Sequence, residues 1–555
     1  MDFVQSRWIS KPLPRRLPAL LVAICATAAQ AQNGVQVNVN SSGQDIAGDA
    51  ANEPTIAVNP LNPNNIVIGW RQFNTVNSSF RRAGWAYTFN RGATWTVGGT
   101  LPVPSGYPSN TQQTDPVLAV NSAGEFFYWS EAFDPVFGQF VYKSTNGGVS
   151  WGPAQPVETN VTSGDKCWIA IDRTGGIGTG NLYGGWNNFT QGGHCFVRST
   201  NSGQTWTPPL RIADAGGTQW MLNFAVGPTG EVYAAWKNYD RDDILITKSI
   251  NAQDPNATPT FDALGGGGRS GIDIRVDAAN DPGFFNINPD GFNQIFVDVD
   301  RSAGARRGWV YVMWPDARND ASDIYLARSR DGGATWERGF RVNDDALGNG
   351  ATQWMAAMSV APNGRIDVTW NDTRNDLSDP TPDSQLFYSF SVDGGDSWAP
   401  NRRLSGTFDT QIGWPSQPKI GDYNQIISDD EGVNVVYSAT FNGGQDLWFQ
   451  RVTPMVLSVG SLRAGQQGQF TISGAKPNQN TYLLYSLTGP GKTFVSQLNV
   501  TLTIANPVLA ASRQSDSAGN VNWSLPVPAN AAGRTVWFQA AQVENASNYD
   551  SEVVQ

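Results

Sequence analysis

Residues 144–151 read S-T-N-G-G-V-S-W, and the same turn returns along the chain. It reads T-F-N-R-G-A-T-W at 88–95, S-T-N-S-G-Q-T-W at 199–206, S-R-D-G-G-A-T-W at 329–336 and S-V-D-G-G-D-S-W at 391–398. A worn copy holds Ser249 and Asn251, then an insertion ending in Thr260 and Phe261. Self-similarity at a regular period marks a repeat architecture and governs the reading of every other motif. Gly92, Gly148 and Gly203 lie 56 and 55 residues apart, which sets the length of one unit.

Each residue of the turn has a local task. The side-chain oxygen of Asn90, Asn146, Asn201, Asp331 or Asp393 folds back onto backbone N–H groups and closes an Asx-type turn. Glycine takes positive φ without steric cost. The Ser or Thr hydroxyl satisfies another turn group. Trp then carries a large apolar face to a neighbouring element. The runs before the turns, such as F-V-Y-K-S at 140–144, read as strands. Between turns comes a strand of the type E-P-T-I-A-V (53–58) or D-P-V-L-A-V (115–120), then one ending in Trp70, Trp129, Trp186, Trp236, Trp314 or Trp370. Three or four strands in each roughly 50–60-residue unit indicate an all-β propeller.

The pattern predicts seven blades, with six as the alternative. First strands are expected near Glu53, Asp115, Asp165, Gln219, Phe292, Gln353 and Gln417. The seventh unit lacks a fourth strand, and V-Q-V-N-V at 35–39 is expected to supply it, removing an open sheet edge. The rhythm stops near residue 453. Residues 454–555 alternate short strand-like runs with Gly, Pro and Asn turns, which predicts an immunoglobulin-like β-sandwich as an accessory domain. The propeller is assigned to 32–453.

Residues 1–31 read as a secretory signal: Arg15 and Arg16, an apolar stretch, then Ala29-Gln30-Ala31. A secreted, periplasmic or cell-surface protein is therefore expected, without a membrane span. The chain carries 37 Lys+Arg against 48 Asp+Glu, and four of those cations fall within the signal. So acidic a chain with no basic block is a poor partner for nucleic acid. Cys167 and Cys195 follow the signal, and an oxidising compartment favours a disulfide between them; two buried thiols are the alternative. His194 is the only histidine, which excludes His-based triads and His-rich zinc sites. No cofactor or metal centre is indicated. Structural calcium is conceivable at the acidic loops 343–345 and 429–431, although neither follows a full calcium-loop pattern. A monomer is expected.

The repeated turns resemble those of bacterial Asp-box (BNR-repeat) proteins of the sialidase-like group, over about residues 52–452. The resemblance implies a propeller acting on or binding glycans, a glycoside hydrolase if it is an enzyme. Sialidases of that group use three arginines, a Tyr–Glu pair and an Asp, and their first arginine lies in an F/Y-R-I-P strand. The matching strand here reads E-P-T-I at 53–56, with no arginine, so none of these roles is carried over. The alternative is a non-catalytic propeller that binds glycan or protein.

In a propeller the first-strand starts and the loops between second and third strands share one face. Glu53, Asp115 and Asp165 should converge there with Glu131, and crowded carboxylates shift one another's pKa and can furnish an acid and a base. The alternative is that each caps a turn. Arg71, Lys166, Trp220, Arg318, Trp354 and Arg374 are the candidate substrate-binding residues. Arg318 and Arg374 lie in repeated W-x-D-x-R motifs, where the arginine either clamps its aspartate or holds an anionic sugar. Trp220 and Trp354, in matching T-Q-W-M motifs, either stack on sugar rings or pack between blades.

Overall fold

The computed structural model describes residues 33–159, 163–189, 192–213, 218–261, 274–278 and 286–555. The expected signal segment lies outside the described residues. Among these residues the chain is all-β, and its one helical turn is Ala529–Ala531.

Two compact units divide the chain: Gln32–Tyr388 with Arg403–Arg451, and Ser389–Arg402 with Val452–Gln555. Before residue 453 the described strands form seven four-stranded antiparallel sheets, the first being Ala50–Val58, Ile66–Phe73, Arg82–Thr88 and Thr96–Thr100. The first strands of the other six are Gln112–Val120, Asp165–Ile171, Gln219–Val226, Phe296–Val299, Gln353–Val360 and Gln425–Ser428. Each packs against the next in chain order, and Gln425–Ser428 returns to Ala50–Val58. Second strands such as Leu182–Asn188 and Val310–Asp316 are buried at every residue, because sheets cover both of their faces.

The repeated turns close as their chemistry dictates. Ser150 N–H donates to Asn146 Oδ1 at 3.0 Å, Asn146 Nδ2 to Ser150 Oγ at 2.8 Å, and Gly148 N–H to Ser144 Oγ at 3.0 Å. Asn90, Asn201, Asp331 and Asp393 accept the equivalent N–H at 2.9–3.0 Å. The worn copy keeps the scheme across its insertion, with Thr260 N–H on Asn251 Oδ1 at 2.9 Å. Turn tryptophans reach back to the preceding sheet: Trp95 meets Phe449, Trp151 meets Trp85 and Trp206 meets Trp129, at 5.1–6.4 Å. Gly92 shows why the position stays glycine: its φ is +84°, and an added Cβ would fall 2.0 Å from the Phe449 ring.

The N-terminal segment adds the fourth strand to the last sheet. Val35–Gln36 pairs antiparallel with Phe449 and Trp448, and Val37 N–H donates to the Leu447 carbonyl at 2.8 Å. The ladder is shorter than the expected 35–39, because Asn38 turns its side chain onto Leu447 N–H instead. Two first strands begin later than expected, at Phe296 and Gln425. The stretch before Gln425 is pinned by side chains rather than by a ladder: Ile420 N–H donates to Asn288 Oδ1, and Asn288 Nδ2 to the Gly421 carbonyl.

The expected disulfide is absent. Cys167 and Cys195 are buried free thiols, bonded to the Asp115 and Trp186 carbonyls. They sit in the first and third strands of one sheet, with Leu182–Asn188 between them. Two interstrand steps come to roughly 10 Å, beyond the ~7 Å Cα limit for a disulfide.

In the second unit, residues 456–553 form antiparallel sheets of four, three and two strands. Phe470, Leu483, Trp523 and Phe538 belong to one apolar core shared by the four- and three-stranded sheets.

Candidate functional site

Five first strands break register at the same place. Pairing holds at Asn52↔Arg71, Thr114↔Glu131, Asp165↔Asn187, Trp220↔Lys237 and Trp354↔Asn371, and then slips. The residue at the slip takes positive φ: Glu53 (53°), Asp115 (48°), Lys166 (57°), Met221 (64°) and Met355 (49°). This is a β-bulge, which re-aims one side chain. Pro54 and Pro116 occupy the unpaired bulge position, where no ladder N–H is needed. Positive φ on a non-glycine residue costs about 1–3 kcal/mol, so the surroundings must hold it. They do: Lys166 N–H donates to Asp115 Oδ2 at 2.9 Å, and Met355 N–H to Asn293 Oδ1 at 2.7 Å. The register also corrects one equivalence. Lys166, not Asp165, is the counterpart of Glu53 and Asp115; Asp165 is the counterpart of Trp220 and Trp354.

Above the charged bulges lies a cavity of about 410 Å³, lined by Arg71, Asp115, Glu131, Asp165, Lys166 and Lys419 together with Arg81, Asp422 and three aromatic residues, Phe133, Phe137 and Phe292. One carboxylate oxygen from each of Asp115, Glu131 and Asp165 lies within 4.8 Å of the others. Glu53 sits beneath, 3.2 Å from Arg71 Nε, 3.4 Å from Lys419 Nζ and 3.8 Å from Lys166 Nζ. Lys166 Nζ also lies 3.5 Å from Asp115 and bonds Asp422, which takes Lys419 Nζ at 2.8 Å. Glu131 is held from behind: Trp129 Nε1 donates to Gln139 Oε1 at 2.6 Å, and Gln139 Nε2 to Glu131 Oε2 at 2.8 Å. The spacing of the three carboxylates would suit a hard cation, but the Lys166 ammonium already stands against Asp115.

Protonation divides the cluster. Burial and the neighbouring Asp115 and Asp165 push Glu131 well above the usual carboxylate range. Burial and Asp115 push Asp165 up likewise. Burial also raises Asp115, but Lys166 and the hydrogen bonds from Asp165 and Lys166 N–H outweigh it and hold Asp115 low. Asp422 is held low by Lys166 and Lys419 against the same burial. Burial and the repulsion of Arg71 lower Arg81 to about 10. Arg71 Nη2 is buried without a hydrogen-bond acceptor.

The structure thus brings together Asp115, Glu131, Asp165, Arg71 and Lys166 at one cavity, with Glu53 supporting them. It does not bring the other candidates there. Trp354 is fully buried, with Nε1 on Ser384 Oγ at 3.1 Å, so its ring has no free face. Trp220 stacks on Phe292 at 5.3 Å and backs the rim rather than the opening. Arg318 forks onto Asp316 at 2.8 and 3.0 Å, and Arg374 binds Asp372 at 2.8 and 2.9 Å; Trp314 and Trp370 donate to the same aspartates. These motifs are clamps. The acidic loops named for calcium are likewise paired with arginine: Asp344 with Arg374 at 2.7 Å, Asp345 with Arg341 at 2.8 Å and Glu431 with Arg91 at 2.9 Å. Arg81 and Asp422 also line the cavity, and neither stands in a motif of the repeat. Asp422 has a signal in its spacing from Lys419, but it precedes its strand by a side-chain-pinned stretch. Arg81 lies in a loop with no motif.

No protein-family model and no curated protein sequence matches the chain. Among solved structures it is similar to a protein of unknown function from Dyadobacter fermentans DSM 18053, at 15% identity and a TM-score of 0.40, covering 75% of this chain and 97% of that one. It is also similar to the intramolecular trans-sialidase from Ruminococcus gnavus, at 11% identity and 0.45, covering 66% and 99%. A third is an α-L-arabinofuranosidase from Fusarium graminearum, at 11% identity and 0.39, covering 76% and 97%. Likenesses this distant assign no activity to the chain.

Proposed function

We propose that the chain is an exported, monomeric glycan-directed protein whose acidic cavity is a glycoside hydrolase site. The cyclic order of the seven sheets supports a seven-bladed propeller, and the shared core of the C-terminal sheets supports a β-sandwich in the second unit. The observation that carries the enzymatic reading is the approach of three carboxylates within 4.8 Å, in a cavity, with opposite protonation. Asp115, ionised, is the nucleophile. Glu131, protonated and oriented by Gln139, gives its proton to the leaving oxygen. Asp165 hydrogen-bonds Asp115 and tunes its charge. Carboxylate oxygens no more than 4.8 Å apart leave no room for a water between acid and base, so the reaction retains anomeric configuration. Arg71 and Arg81 face an anionic substituent, and Phe133 and Phe292 offer faces to a sugar ring.

The test is hydrolysis on a broad glycan panel, with the product anomer read by NMR and binding read on the same panel. Asp115→Asn and Glu131→Gln should each cost roughly 10²–10⁴-fold in rate. Full activity in both variants, or an inverted product, rejects the assignment. The Lys166–Asp115 contact, which already neutralises part of the cluster, favours a second reading as a non-catalytic glycan-binding site. Binding without turnover on every glycan would select that reading.

A further inference from the structure

The other end of the same seven first strands encloses a second cavity, of about 620 Å³. An aromatic layer divides it from the acidic one. Trp168 meets Phe296 at 5.8 Å and Tyr423 at 5.9 Å, both edge to face, and the Tyr423 hydroxyl donates to the Pro116 carbonyl at 2.9 Å. Beyond this layer the chemistry changes. Ile56, Leu118, Ile169 and Met358 form apolar stretches of wall, Ser122, Asn223, Ser359, Gln425 and Ser428 stand between them, and the charged lining residues are Arg173, Arg301, Arg307 and Asp298.

The four charges are not equally occupied. Asp298 takes Arg301 Nη2 at 2.8 Å and, through its other oxygen, Val360 N–H at 2.8 Å. Arg307 donates to the carbonyls of Arg301, Ser302 and Pro228 and so holds its loop. Arg173 is exposed to the cavity mouth and makes no hydrogen bond or ion pair among the described residues. Its tip reaches solvent, but the protein crowded around it and the repulsion of Arg301 hold its guanidinium below its ordinary value against the attraction of Asp298. Asp298 is the one carboxylate beside three arginines in this lining and it is bonded to Arg301, so Arg173 is the cation left for an added anion to take.

We propose that this cavity binds an amphipathic monoanion, a straight-chain carboxylate, with its chain along Ile56, Leu118, Ile169 and Met358 and its carboxylate on Arg173. The volume falls in the range of small-molecule sites, which pair apolar walls with a few placed polar groups. Each methylene buried should strengthen binding roughly fourfold. The inference is independent of the acidic cavity, since none of its residues lines the funnel.

Calorimetric titration of the full chain with hexanoate, octanoate and decanoate tests it. One site is expected, with affinity rising at each step of chain length, and no binding of decyltrimethylammonium. Arg173→Gln should weaken decanoate by roughly 10-fold or more, as loss of a charge-assisted bond does. Met358→Trp should fill the funnel and abolish binding, while Asp115→Asn should leave it unchanged. The proposal is overturned by affinity that does not depend on chain length, by equal binding of the cationic amphiphile, by Arg173→Gln binding as wild type, or by no binding at all. Because Arg173 holds nothing in place, its variant is expected to melt with the wild type, so a lost site reads as a lost contact.

Discussion

Two arcs of the same ring carry the same backbone device and opposite chemistry. Glu53, Asp115 and Lys166 stand at the bulges of the first three sheets; Met221 and Met355 stand at the equivalent bulges of the fourth and sixth. The five positions share positive φ, so that backbone conformation belongs to the architecture and is no mark of a site by itself. What marks the site is charge placed on it. The paired position on the second strand does not divide the same way: it holds Arg71, Glu131 and Asn187 on one arc, and Lys237 and Asn371 on the other. A strained backbone therefore points to function only where the side chain is one the fold does not need.

This contrast can be broken by substitution. Lys166→Met copies the apolar arc onto the charged one and leaves Glu53, Asp115 and Asp422 without their shared cation. It should cost about 3–5 kcal/mol in denaturant unfolding, the usual result of stranding a buried charge. Met355→Leu should cost under about 1.5 kcal/mol. Equal costs would mean the charged arc is solvated after all, and the contrast would fall.

pH sharpens the contrast further. Glu131 has a folded pKa above its unfolded value, so its contribution to stability is fully present below the ordinary glutamate range. It is lost as pH rises through the raised folded value. Glu131→Gln should therefore melt with the wild type in acid and above it at alkaline pH, by a few degrees. Asp115 behaves oppositely: its folded pKa is depressed, so its contribution is present above the ordinary aspartate range and lost only in strong acid. A melting difference that does not change with pH would place Glu131 outside the coupled cluster. The smallest effect belongs to the thiols. Cys195→Ala should cost about 1 kcal/mol, and intact-mass analysis of the native protein should find no linked pair. A linked peptide pair would restore the bridge that the strand spacing argues against.

Much of this was legible from the repeat. The turns, the Trp staples, the closing N-terminal strand and the convergence of Asp115, Glu131, Asp165, Arg71 and Lys166 follow from spacing and strand periodicity. The bulge was not, because matching the strands by their acidic starts sets Asp165 against Glu53; counting back four residues from Ala57, Ala119, Ala170 and Ala225 gives Glu53, Asp115, Lys166 and Met221, and a one-residue slip changes which side chain faces the axis. The same blindness misplaced Trp354: its T-Q-W-M motif puts Met355, not the tryptophan, at the bulge. The W-x-D-x-R spacing allows Arg318 and Arg374 either role, and the aspartate two residues earlier, within reach of each guanidinium, decides for the clamp.

The two-residue ladder at Val35–Gln36 bears on how the chain reaches this state. Asn38 and Asp446 bond across 408 positions of sequence, and Val37 fills the apolar core between the last and first sheets. Contacts of such separation reward the chain only after the intervening loop has closed, so they slow folding. The first segment of the ring to be synthesised is thus the last to find its partner. Until residue 449 is in place, the ring stands open by one strand.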